Sequence, residues 1–118
     1  ATHRGATLYI DRAQIEQVLI NLIKNAKESC GQNTAPQIEV ELEQVPGKVC
    51  SLTVRDNGEG ILPEVIDKVF VPFFTTKPSG SGIGLSLCKQ IMNLHGGTIT
   101  VSSEIGKGSC FTLMFPGR

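Results

Sequence analysis

A chain of 118 residues is long enough for one domain with a real core and too short for two. Apolar residues make up 40% and charged ones 19%, and eleven acidic residues balance eleven basic ones, so a charge-driven nucleic-acid partner is excluded. No apolar run approaches the roughly 20 residues that cross a bilayer, and the N-terminal ATHRGATLYI lacks the charged-then-apolar order of a signal peptide. Direct membrane contact by this unit is therefore not expected. The start at Ala1 rather than Met leads us to expect a single domain, residues 1–118, excised from a longer chain. Cys30, Cys50, Cys88 and Cys110 stand singly among apolar neighbours, without a CxxC pair or a nearby histidine, which reads as buried reduced thiols in a cytoplasmic protein.

Residues 6–10, ATLYI, read as a short strand, and Asp11 followed three positions later by Gln14 reads as a capping-box-like helix start. The helix should run to about Ser29, with Ile15, Val18, Leu19, Leu22, Ile23 and Ala26 on its core face. QIEVELEQ alternates strictly, Ile38, Val40 and Leu42 facing in and Glu39, Glu41 and Glu43 facing out. A turn over residues 45–48 returns the chain as VCSLTVRD, in which Cys50, Leu52, Val54 and Asp56 share the inward parity. A carboxylate continuing a buried face is costly unless something pairs with it.

DNGEGI is a loop, and Pro63 opens a short helix through Lys68. VFVPFFTTKPSGSG has no periodicity and is expected to be irregular. From Ile83 a helical pattern returns, with Ile83, Leu87, Ile91 and Leu94 on one face, and HGG ends it. Two last strands, GTITVSS and SCFTLMFP, point Ile99, Val101, Phe111, Leu113 and Phe115 inward across a tight GKG turn. Hairpins separated by helices imply an α/β (α+β) two-layer arrangement, a mixed and largely antiparallel sheet of about five strands with helices on one face.

Three features fall off the core pattern and admit both chemical and plain readings. Asn21 and Asn25 lie one helical turn apart, where asparagine is a poor choice; neutral amide oxygens there suit a hard cation such as magnesium, or they are simply solvated or capping amides. Asp56, ahead of Gly58 and Gly60, is a good acceptor for an exocyclic amine such as that of adenine, or part of an ordinary Asp-Asn-Gly turn. Gly82 and Gly84 precede a helix whose free N–H groups favour anions, or merely form a turn; neither GxxxxGK[ST] nor the strand-turn-helix setting of a dinucleotide fingerprint is present.

Taken in order, QVLINLIKNAKES, DNGEGI, VFVPFFTTK, GSGIGLSLC and HGGTITVSSEIGKGSCFTLMFP resemble the N box, first glycine box, F box, second glycine box and closing hairpin of the ATP-binding catalytic domain of sensor histidine kinases. That domain belongs to the superfamily of gyrase-type ATPases, the ninety-kilodalton heat-shock chaperone and the mismatch-repair ATPases. The resemblance spans nearly the whole chain and implies ATP and Mg2+ as cofactors. It makes Asn25 the magnesium ligand and Asn21 a second contact near the phosphates. Asp56 would accept the adenine amino group, Gly58 and Gly60 would shape the pocket, and Ile61 would pack near the base. Gly82, Ile83, Gly84 and Leu85 would present backbone N–H groups to the phosphates. Thr75, Thr76 and Lys77 would belong to a short, nitrogen-sensor-like ATP lid, with Lys77 a catalytic partner of the γ-phosphate.

The hydrolytic relatives carry a glutamate where this chain has Asn21, and an amide cannot activate water as a base. Transfer to an imidazole asks mainly for positioning and charge neutralisation. The resemblance thus implies a protein histidine kinase whose acceptor histidine lies elsewhere: His3 falls in a loose terminus and His95 at a helix end. Its partners would be a histidine-bearing dimerisation domain of the same full-length chain and a downstream response regulator, with the isolated domain a cytoplasmic monomer and the parent kinase open to anchoring in the inner membrane. An anti-sigma-factor-type serine kinase, and a nucleotide-binding module without catalysis, are the alternatives.

Overall fold

The structure is a computed structural model, and it describes residues 11–31, 35–45, 49–72 and 84–116. Helix α1, Arg12–Ser29, starts where the sequence places it: Asp11 is extended, and its carboxylate accepts a hydrogen bond from the Gln14 N–H at 3.1 Å. The reciprocal half of the capping box is taken by another residue. The Asp11 N–H donates to His95 Nε2 at 2.9 Å, and His95 Nδ1 in turn donates to the Ile91 carbonyl at 2.8 Å, which ties the start of α1 to the end of the other long helix. Ile15, Val18, Leu22 and Ala26 form the buried stripe, and Leu19 packs at its border.

Strands β1 (Ile38–Val45) and β2 (Val49–Asp56) form one hairpin, and β3 (Thr98–Glu104) and β4 (Gly108–Pro116) another. They join through β2 and β4, giving the order β1-β2-β4-β3 with every neighbour antiparallel. Among the described residues the sheet thus has four strands and no parallel pair; the expected strand at residues 6–10 lies outside them. Helix α2 is a single turn, Pro63–Ile66, shorter than the expected run to Lys68 and opened by its proline. Helix α3 spans Gly84–Leu94.

Helices α1 and α3 touch each other and cover one face of the sheet, α1 over β2 and α3 over β3. The core between the layers comprises Val18, Leu22, Cys88, Ile91 and Met92 from the helices and Val54, Ile99, Phe111, Leu113 and Phe115 from the strands. Two expectations of burial do not hold. Val40 and Leu42 pair with Val54 and Leu52 on the helix-side face, yet stay 51% and 46% exposed, because β1 is an edge strand at the limit of the α1 cover. Leu94 is 76% exposed, because the buried stripe of α3 runs through Cys88, Ile91 and Met92 and, at about 100° per residue, leaves Leu94 off to its side. Cys30, Cys50 and Cys88 are buried free thiols as expected, whereas Cys110 is half-exposed on the outer sheet face. No helix among the described residues is long and apolar enough to cross a membrane.

Candidate nucleotide site

The helix-facing surface of the sheet is apolar for three successive rungs, and its last rung is polar. Cys50 opposes Phe115, Leu52 opposes Leu113, Val54 opposes Phe111, and then Asp56 opposes Ser109, which itself opposes Ser103 on β3. Asp56 is 5% exposed, and with Ser109 it makes up the buried polar side chains of the described residues. Its Oδ1 accepts the Gly58 N–H at 2.8 Å. Its other oxygen makes no hydrogen bond to the described residues; since no buried side-chain oxygen or nitrogen there lacks a partner, that oxygen borders open space.

The loop after Asp56 is clamped on three sides. Asn57 accepts the Gln37 N–H at 2.8 Å and donates to the Ala35 carbonyl at 3.0 Å, fastening the loop to the segment leading into β1. Glu59 N–H donates to the Ser29 carbonyl at the end of α1, and Gly106 N–H donates to the Glu59 carbonyl from the β3–β4 turn. The glycines serve these contacts. A Cβ on Gly58 would lie 2.5 Å from the Ser29 carbonyl oxygen, and Gly60, at φ +83°, would press one to 2.5 Å of the Glu104 carbonyl oxygen. Ile61 packs against the core, and its N–H donates to Ser103 Oγ at 2.8 Å.

Across from this loop, α1 meets the start of α3. Asn21 accepts from Gln17 at 3.0 Å and donates to the Gly84 carbonyl at 3.4 Å, so the first asparagine of the pair is stitched to the opening residue of α3. Asn25 sits one turn further along α1, half-buried. Among the described residues Gly84 is uncrowded: a Cβ there would find its nearest heavy atom, in the Asn21 side chain, at 4.0 Å. Beneath it Cys88 is fully buried and donates to the Val18 carbonyl at 3.8 Å. Burial pushes the Cys88 thiol up to about 11, although contacts with the Asn21 side chain and its own backbone pull the other way.

Of the expected site residues, the fold brings Asn21 to Gly84 and gathers Asp56, Gly58, Gly60 and Ile61 into one loop, while Leu85 packs against the core. Thr75, Thr76, Lys77, Gly82 and Ile83 lie outside the described residues. The aromatic segment leading toward them is anchored at Phe70, whose ring meets Phe111 edge-on at 6.3 Å and lies 5.4 Å beneath the Lys89 ammonium. The sequence pattern marks Asn57 only as part of its loop and does not single out Ser103 or Ser109. Parity along the last two strands is the signal for the serines, since Ser103 continues Ile99 and Val101, and Ser109 precedes Phe111, Leu113 and Phe115.

The chemistry present is compatible with a nucleotide: a buried carboxylate with one oxygen free of hydrogen bonds to the described residues, and a helix start that those residues leave uncrowded. Among the described residues no three histidine, cysteine, aspartate or glutamate side chains cluster to hold a metal. A magnesium ion here would take Asn25 from the protein and draw its remaining ligands from phosphate and water, as that ion commonly does.

Residues 10–118 match the family described as histidine kinase-, DNA gyrase B- and HSP90-like ATPases. The sensor histidine kinase ZraS of Escherichia coli K12 is 41% identical over 106 residues, 90% of this chain and 22% of the relative. The C4-dicarboxylate transport sensor protein DctB of Rhizobium meliloti is 45% identical over 93 residues, 79% of this chain and 15% of its own. Among solved structures, the catalytic domain of histidine kinase ThkA superposes with a TM-score of 0.80 at 37% identity, over 92% of this chain and 71% of that one. The mycobacterial sensor histidine kinase MprB superposes with a TM-score of 0.83 at 27% identity, over 94% and 77%. The chain belongs to this ATPase family and is an ATP-binding catalytic domain of the histidine kinase type. It spans about a fifth of the length of the curated relatives it matches.

Proposed function

We propose that this domain binds Mg-ATP and donates the γ-phosphoryl group to a histidine carried by a separate dimerisation and phosphoacceptor domain of a two-component sensor kinase, which then serves a response regulator. The observation that carries the reading is Asp56, a buried carboxylate ending an otherwise apolar sheet face and keeping one oxygen toward open space. The structural neighbour ShkA, 26% identical at a TM-score of 0.82, was solved with AMPPNP, which supports a nucleotide at the same kind of site.

Asp56 would accept the adenine amino group, held in place by the Gly58 N–H. Asn25 would hold magnesium, whose charge offsets that of the phosphates. The N–H groups of Gly82, Ile83, Gly84 and Leu85 would stabilise the phosphate oxygens, and Thr75, Thr76 and Lys77 would close over them. Asn21 favours transfer over hydrolysis, because its amide is engaged by Gln17 and the Gly84 carbonyl and offers no base to a water molecule.

The test is Asn25→Ala. Its circular dichroism should stay native, while magnesium-dependent ATP binding by calorimetry falls by at least about a hundredfold, as expected of a lost metal ligand. Phosphoryl transfer to the histidine-bearing domain should vanish with it, and unchanged affinity together with unchanged transfer would refute the assignment.

A further inference from the structure

We propose that Ser103 is a positioning residue for base selection: it commits the Ser109 hydroxyl proton and thereby leaves the polar rung beside Asp56 able only to accept hydrogen bonds. The inference rests on the reading that a purine nucleotide docks against this rung.

Ser103 Oγ has three hydrogen-bonding neighbours, the Ile61 N–H at 2.8 Å, the Gly108 carbonyl at 2.9 Å and Ser109 Oγ at 2.9 Å. The hydroxyl owns one proton. Ile61 must donate to it and the Gly108 carbonyl can only accept, so all three contacts are made when Ser103 donates to Gly108 and Ser109 donates to Ser103. The Ser109 proton then points along the sheet toward β3, and lone pairs remain for anything approaching Asp56, its cross-strand neighbour.

Asp56 accepts through both oxygens, one already taken by Gly58. A ligand edge carrying an amino group meets two acceptors and satisfies them. A 6-oxo purine brings an oxygen where the amino group stood; its N1–H can serve one acceptor, but the carbonyl still faces a rung without a proton to offer, so carbonyl and carboxylate oppose each other. Were Ser109 free to rotate, its hydroxyl would turn and donate to that oxygen, and the discrimination would weaken. Ser103 prevents the turn.

The experiment compares Mg-ATP and Mg-ITP affinity by calorimetry for the 118-residue chain and for Ser103→Ala and Ser103→Thr, with melting curves alongside. The two nucleotides differ at position 6, amino against oxo, and at N1, which accepts in adenine and donates in hypoxanthine. The native chain should prefer ATP, Ser103→Ala should narrow that preference about tenfold, and Ser103→Thr, which keeps the hydroxyl, should restore it. If the alanine variant does not fold, Ser103→Cys retains the volume with a poor acceptor and should narrow the preference likewise. A loss of affinity equal for both nucleotides, with the ratio intact, would mark Ser103 as merely structural and overturn the proposal. If the native chain binds both alike, there is no base selection for Ser103 to control and the proposal is overturned; if it binds neither nucleotide, the nucleotide reading itself fails, a distinct result.

Discussion

The two glycine-bearing regions of the site use the same residue type for opposite ends. In the loop after Asp56, the space beside Gly58 and Gly60 is filled by backbone from Ser29 and Glu104. At the start of α3, none of the described residues crowds Gly84. Glycine in the first region lets the protein approach itself; in the second it leaves room for something else. Spacing alone shows two similar motifs, and the atoms around them separate a structural clamp from an uncrowded helix start.

The widest separation between the two regions should come from valine substitutions. Gly60→Val forces a branched side chain into left-handed backbone against the Glu104 carbonyl, and it should lower the melting temperature by 10 °C or more on the order-of-magnitude scale of a 3 kcal/mol loss. A native melting temperature for that variant would break the description of the loop as clamped. Gly84→Val should do the reverse: roughly tenfold weaker Mg-ATP binding by calorimetry, with the melting temperature within about 2 °C of native. If it unfolds the chain instead, the two regions are alike after all.

A smaller effect probes the floor beneath Gly84. The Cys88 thiol ionises near 9.0 in an unfolded chain and near 11 in the folded one. The unfolded chain therefore loses its proton first, so the folded state is unaffected below 9.0 and loses stability as pH climbs from 9.0 toward about 11. Urea midpoints measured over that range should decline for the native chain and decline less for Cys88→Ala; equal slopes would mean that this thiol is not held in a dry site.

Much of this was legible in the sequence because two periodicities carry it. The apolar spacing from Ile15 to Ala26 defines α1, and the alternation in QIEVELEQ and VCSLTVRD defines the first hairpin together with the odd placement of Asp56. Alternation does not tell an edge strand from a central one, so Val40 and Leu42 read as buried. Nor does helical spacing alone choose between two neighbouring stripes of α3: Ile91 is common to both, and the sheet buries the one through Cys88 and Met92 rather than the one through Leu94. The partners of Gly58, Gly60 and the Asp11 N–H lie on distant segments, and no local pattern names them. The serines of the polar rung follow the inward parity, but serine is compatible with either face until its neighbours are known.

The pairing of β2 with β4 decides when, during folding, a site can exist at all. Each hairpin closes locally, but the contact from Ile61 to Ser103 spans 42 residues and forms only once the two hairpins meet. Closing that long loop is entropically costly and belongs to the slow part of folding. A nascent chain that has made α1 and the first hairpin thus already carries Asp56 and the loop's ties to Ala35, Gln37 and Ser29, yet lacks the braces that the second hairpin supplies through Ser103 and Gly106. The fully braced loop should appear abruptly, with the arrival of the last strand.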